Sequence, residues 1–195
     1  MVKQRRKQKI QKRRNNPLAL LLMGSGLLIL GMVAMALLSK PAKTAEAGDV
    51  RSAIPVEVNY PAPKLSLTDL EDKPVSLEDY RGTVVLVNNW ATWCPPCKAE
   101  MPILQAYYEK HRKKGFTIIA IESGDPVPEV KKFVQDYGLT FPVWADLTMK
   151  SIAAFRNPGL PSSYVIDREG TVRLAWSGAI SREVLEKYVT PLLEE

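Results

Sequence analysis

The chain has 195 residues, 46% of them hydrophobic, which is room for one globular domain and some additional segments. Its formal charge of +6 sits at one end: residues 1–16 hold eight of the 27 basic residues and no acid, leaving 19 basic and 21 acidic residues, a net of −2, for the rest. That distribution argues against a basic globular surface built for nucleic acid, and two cysteines spaced Cys-x-x-Cys are too few for a secreted disulfide framework.

Residues 18–38 (LALLLMGSGLLILGMVAMALL) carry no charge and are apolar on every helical face. A run of this length crosses about 30 Å of hydrocarbon. The basic block before it stays in the cytoplasm by the positive-inside rule, so the remainder lies outside. The chain divides into a basic cytoplasmic tail (1–16), a transmembrane anchor (17–39), a linker (40–61) and a globular domain (62–195). A cleaved signal peptide is the rival reading, because Ala34-Met35-Ala36 and Ala45-Glu46-Ala47 have the small-x-small form of a cleavage site. The apolar core of such a peptide runs to about 7–15 residues, shorter than this one. Residues 39–64, rich in Pro, Ala and charge, read as a spacer.

From Leu65 the pattern turns globular. Leu65–Thr68 and Pro74–Leu77 flank an acidic turn and predict an N-terminal β-hairpin. Thr83–Asn88 (TVVLVN) is a continuous β-branched run suited to a central strand buried on both faces. A helix is predicted over Pro95–Lys113, with Met101, Leu104 and Tyr108 three and four residues apart. Phe116–Ile121 is a second buried strand, and Pro128–Tyr137 a helix ended by Gly138. Met149–Phe155 is a short helix. Ser163–Asp167 and Thr171–Trp176 form an antiparallel hairpin through Arg168-Glu169-Gly170, and Ser181–Leu193 is a last helix with Ser181 as N-cap. This order gives an α/β fold with a mixed central sheet flanked by helices.

Cys94 and Cys97 stand between a buried strand and a helix. A sulfur at a helix N-terminus meets unpaired N–H groups and the positive end of the dipole, which favours a thiolate. Cys97, one turn on, can resolve a mixed disulfide. Pro95 and Pro96 fit the first turn but remove two N–H donors from the neighbourhood of the Cys94 sulfur. The thiolate is then only modestly stabilised, a bias toward reduction of partners. A structural disulfide across two residues adds little stability. A zinc site lacks ligands, since His111 is the only histidine; no metal and no cofactor is expected. His111 reads as a surface residue, and Trp144 and Asp146 as packing and capping residues.

The segments VVLVNNWATWCPPCKAEMP (84–102), LSLTDLEDKPVSLEDYRG (65–82) and GLPSSYVIDREG (159–170) resemble membrane-anchored thioredoxin-like reductases of the TlpA/ResA type, over roughly residues 62–193. The resemblance implies a thioredoxin fold and an extracytoplasmic thiol–disulfide reductase, in many members one that keeps apocytochrome c cysteines reduced. It makes Cys94 the nucleophile, Cys97 the resolving thiol and Cys94–Cys97 the redox disulfide. Trp93 matches the tryptophan packed beside the site, Pro161 a proline with a cis preceding bond, and Pro102 one that kinks the active-site helix. Leu160 then offers its backbone to an extended substrate peptide.

Glu100 matches an acidic residue near the thiols. One turn past Cys97, it can move protons to or from a thiol; the competing reading is a solvated first-turn glutamate. Two positions depart from the pattern. Asn88 stands where thioredoxins carry a buried aspartate, and Asn89 where an aromatic core residue is usual; a buried amide there needs a partner. The implied partners are protein thiols and disulfides and an electron donor in the membrane. A peroxidase is a weaker alternative, because Val87 and Ala91 occupy the places of its Pro and Thr. A copper-binding assembly factor is a third, lacking the wider cysteine spacing and the distant histidine of such carriers.

Overall fold

The computed structural model describes residues 52–194. The basic tail, the anchor, the first part of the linker and Glu195 lie outside the described residues. Among the described residues no helix is long and apolar enough to cross a membrane.

Eight strands form one sheet in the order β1-β8-β7-β4-β5-β6-β2-β3. They are β1 (Val56–Pro61), β2 (Ser66–Asp69), β3 (Pro74–Ser76), β4 (Val84–Trp90), β5 (Phe116–Ser123), β6 (Val143–Asp146), β7 (Ser162–Ile166) and β8 (Thr171–Ser177). The helices are α1 (Pro95–His111), α2 (Val127–Tyr137), α3 (Lys150–Phe155) and α4 (Arg182–Tyr188), with 3-10 turns at Leu77–Tyr80, Arg112–Lys114 and Thr190–Leu193.

The two apolar runs sit at the centre. Every residue of β4 and β5 is buried, because helices and loops cover both faces of a strand that is apolar throughout. β4 pairs parallel with β5 and antiparallel with β7, so the sheet is mixed. Successive side chains of β4 point to opposite faces. Val84, Leu86 and Trp90 join Met101, Leu104 and Tyr107 of α1, Phe133 of α2 and Leu185 of α4 in one layer. Val85 and Val87 join Ile119, Ile121, Trp144, Phe155 and Tyr164 in the other. Burying one such leucine or isoleucine contributes about 1.5–3 kcal/mol.

The caps are those the residues allow. Ser181 Oγ accepts the Val184 N–H and starts α4. Gly138, at φ 60°, closes α2 in the left-handed region that glycine enters without steric cost.

Several expectations need correction. The spacer drawn over residues 40–61 contains β1, which pairs antiparallel with β8. Folded structure reaches back further: Ala53 N–H donates to Ala179 O and Ser181 N–H to Ser52 Oγ. β1 escapes a reading by hydrophobic pattern because it is an edge strand with most of its residues exposed. The packing and capping residues around Trp144 form a further strand, β6, four residues long and set between β5 and β2. Trp144 packs there, 1% exposed, and Asp146 caps α3 by accepting the Lys150 and Ser151 N–H groups. The last helix is shorter than drawn; it gives way to a 3-10 turn at Thr190, where Pro191 has no N–H to continue it. His111 is not a surface residue. It is 2% exposed, its ring 4.4 Å from that of Tyr107 and its Nε2 3.6 Å from Glu186. Burial holds its pKa below the ordinary value.

Candidate active site

β4 ends at Trp90, and Ala91–Trp93 carry the chain over its C-terminal edge into Cys94. Cys94 is the N-cap of α1, with an extended backbone at φ −85° and ψ 109°. Pro95 and Pro96 follow it in the first turn. Neither has an N–H, so the first amide that reaches the cap is that of Cys97, which donates to Cys94 Sγ at 3.3 Å. The helix start therefore supplies one sulfur contact where an ordinary first turn has more N–H groups to offer. The two sulfurs are bonded to each other, with Cα atoms 5.3 Å apart. Cys97 is fully buried and Cys94 3% exposed.

Glu100 is the most consequential neighbour. It is not a solvated first-turn residue: its exposure is zero. One carboxyl oxygen accepts the Asn88 amide at 2.8 Å, and the other the Ile180 N–H at 3.2 Å. Asn88 lies on β4 directly across from Ser163 on β7, and its amide also donates to Ser163 Oγ at 3.0 Å. Asn88 on β4 and the Ile180 N–H, two residues before α4, thus hold the one carboxyl group that α1 presents. Burial pushes the Glu100 pKa up to about 8, against the opposing pull of Asn88 and Ile180.

The other site positions are as follows. Leu160–Pro161 is a cis peptide bond. Pro161 is buried and its carbonyl accepts the Gly178 N–H at 2.8 Å. Leu160 packs against the apolar layer that contains Cys94 and Cys97. Pro102 lies inside α1. Trp93, expected to pack beside the site, is instead 64% exposed and stands out as an apolar surface next to Cys94. Asn89, buried on the opposite face of β4 from Asn88, finds its partner across the strand in Ser162 Oγ at 3.4 Å.

Sequence reasoning missed six participants. Ser162 and Ser163 pair with the two asparagines only through the β4–β7 register. Ile180 meets Glu100 through its backbone, for which no residue type is a signal. The Thr92–Asp125–Glu122 chain of hydrogen bonds had one visible sign, a glutamate closing the otherwise apolar FTIIAI run. Among the described residues, no group of three or more His, Cys, Asp or Glu side chains is placed to hold a metal ion.

A Cys-x-x-Cys disulfide at the N-terminus of a helix, fed by a central buried strand and set beside a proline loop, defines a thiol–disulfide oxidoreductase of thioredoxin-like α/β fold. The comparisons agree: the chain belongs to the AhpC/TSA family, which it matches over residues 58–175. It is similar to thiol-disulfide oxidoreductase ResA of Bacillus anthracis, with 40% identity over 134 residues, 69% of this chain and 78% of that one. The ResA of Geobacillus kaustophilus is 37% identical over 69% of this chain and 77% of its own. Among solved structures, a putative thiol:disulfide interchange protein DsbE from Chlorobium tepidum matches with a TM-score of 0.66 and 28% identity, over 71% of this chain and 99% of that one.

Proposed function

We propose that this oxidoreductase works as a reductase of disulfides in exported proteins, apocytochrome c among them, held at the outer face of the cytoplasmic membrane by residues 18–38. Cys94 is the nucleophile. Its thiolate attacks a substrate disulfide, forms a mixed disulfide and releases one substrate thiolate. Cys97 then loses its proton to Glu100 and attacks Cys94 Sγ. The Cys94–Cys97 bond forms, the second substrate thiolate leaves, and a proton returns it to the thiol. Two electrons pass from the dithiol to the substrate, and a donor in the membrane restores the dithiol. Leu160 offers backbone groups for an extended substrate segment, and Trp93 an apolar surface.

The observation that carries this reading is the buried Glu100 carboxyl, one helical turn past Cys97, with a pKa near 8. The single N–H on Cys94 Sγ supports the reducing direction, because a poorly stabilised thiolate pair favours the disulfide form of the enzyme.

The test is trapping in cells. Cys97→Ala leaves Cys94 holding its partners as mixed disulfides, to be identified by mass spectrometry. Exported proteins with reducible disulfides are the expected catch. No trapped partner, together with failure to reduce insulin in the presence of a dithiol, contradicts the reading.

A further inference from the structure

Thr92 is the hinge between β4 and the Trp93–Cys94 step. Both of its donors converge on one atom, Asp125 Oδ2, the backbone N–H at 3.0 Å and the hydroxyl at 2.6 Å. Asp125 is held in turn from behind: its own N–H is accepted by both carboxyl oxygens of Glu122, at 3.1 and 3.3 Å. Glu122 is fully buried near the end of β5, across from Trp90 on one side and Ala145 on the other.

No lysine, arginine or histidine forms an ion pair with these carboxyls among the described residues. The other acid that bears on Glu122 is Asp146, at the end of β6. Its oxygens are taken by the Lys150 N–H and by the Ser151 N–H and hydroxyl. Glu122 is buried and Asp125 half-buried, and two adjacent carboxyls without a counter-ion, one of them shut off from water, retain a proton between them. Asp125 is the member that accepts two donors from Thr92, which favours its charged form, so the proton belongs on Glu122.

We propose that Asp125 is the positioning residue for the loop that presents Cys94, and that it acts as a carboxylate because Glu122 keeps the proton of the pair. Neither touches the sulfurs; both act through Thr92 on the setting of the N-cap cysteine. The electrostatics agree. Burial, with Asp125 adding to it, pushes Glu122 up to about 8. Burial also raises Asp125, but the Thr92 hydroxyl, Glu122 and the Thr92 N–H together hold it below the usual carboxylate range. When Glu122 ionises, its buried charge meets that of the half-buried Asp125, and Asp125 is driven off Thr92 toward solvent. The loop then loosens and exchange at Cys94 slows. The inference rests on the reading that exchange takes place at the Cys94–Cys97 pair.

The test uses the oxidised full chain and dithiothreitol, whose dithiol is oxidised as the Cys94–Cys97 bond is reduced. Rate constants are measured from about pH 6 to about pH 9.5 and corrected for the reagent's own thiolate fraction. Thr92→Val, which loses one donor to Asp125, is expected to react about tenfold more slowly, and Thr92→Ser to recover most of the rate. The corrected wild-type rate is expected to fall with a midpoint near pH 8. Glu122→Gln, whose amide can donate to Asp125 at every pH, is expected to abolish that fall. Thr92→Val as fast as Thr92→Ser, or parallel wild-type and Glu122→Gln profiles, overturns the proposal. Thr92→Ser and Glu122→Gln are conservative changes, so the outcome does not depend on a disruptive variant. Exchange that survives Cys94→Ala refutes the site itself, a different result from exchange that is lost there but indifferent to Thr92 and Glu122.

Discussion

Two buried glutamates flank the active-site turn, and their difference is instructive. Glu100 on α1 and Glu122 on β5 are both fully shielded from solvent, and both are raised to about 8. Burial is the main cause in each. The second influence has opposite sign. Glu100 is surrounded by neutral donors, the Asn88 amide and the Ile180 N–H, which favour its charged form and make ionisation accessible. Glu122 faces a second carboxyl, Asp125, which opposes its ionisation. The first arrangement suits a group that must give and take a proton beside a thiol. The second suits one that must keep it. Equal acidity reached by different routes supports different work.

The strongest way to sharpen this contrast is to remove the chemistry that it serves. Cys94→Ala is expected to lower insulin reduction by at least ~10³-fold, because the remaining thiol, Cys97, is fully buried and cannot reach a protein disulfide. Next comes Glu100→Gln. It preserves shape but cannot take the Cys97 proton, and resolution of a Cys94 mixed disulfide is expected to slow about 10²-fold, as followed by quenched-flow trapping. Cys94→Ala variants with wild-type turnover, or equal resolution rates in Glu100→Gln, break the contrast at its centre.

The two carboxyls also predict how stability depends on pH. A carboxyl whose folded pKa lies above its unfolded value binds its proton more tightly when folded. Its contribution is fully present below the unfolded value, 4.5, and is lost as pH rises to about 8. Stability of the oxidised protein, measured by urea denaturation, is therefore expected to fall across that window. Each glutamate accounts for a slope of up to about 1.4 kcal/mol per pH unit. Glu100→Gln and Glu122→Gln should each flatten the curve, and the double variant should flatten it further. Asn88→Ala separates the two sites: it removes a group that lowers Glu100 alone, pushes that pKa further up and costs about 1–3 kcal/mol by leaving buried partners unpaired.

Much of this architecture is legible from residue order, and the failures have physical reasons. β4 and β5 are readable because continuous β-branched runs have few alternatives to a doubly covered strand. α2 is readable because Gly138 stops it. β1 and β6 are not, since an exposed edge strand and a four-residue strand lack a strong hydrophobic period. Cys94 and Cys97 can be read from their spacing, and Glu100 from its place on the same helix. Whether Glu100 is wet or buried cannot, because that depends on Asn88 and Ile180, 12 and 80 residues away. His111 escapes for a similar reason: the α4 residue that faces it, Glu186, lies on a separate element of the chain.

The smallest expected effect concerns Trp93. With 64% of its surface exposed, Trp93→Ala is expected to change folding stability by no more than about 0.5 kcal/mol. It should raise KM for protein substrates while leaving reduction of a small disulfide such as oxidised glutathione near wild type, a split visible in steady-state kinetics. An equal loss with both substrates would assign the tryptophan to the geometry of the turn instead of the docking surface.

The central claim, that Glu100 moves the Cys97 proton while Glu122 holds its own, is tested most directly by the pH dependence of mixed-disulfide resolution. A Cys94 adduct with a thionitrobenzoate leaving group is formed by stopped flow in the wild type, Glu100→Gln and Glu122→Gln, and its decay followed. Glu100 is predicted to give the wild-type profile a rise with a midpoint near pH 8, and that rise is lost in Glu100→Gln together with most of the rate. Glu122→Gln should keep that Glu100-dependent rise. Wild-type decay rates in Glu100→Gln at every pH would contradict the claim.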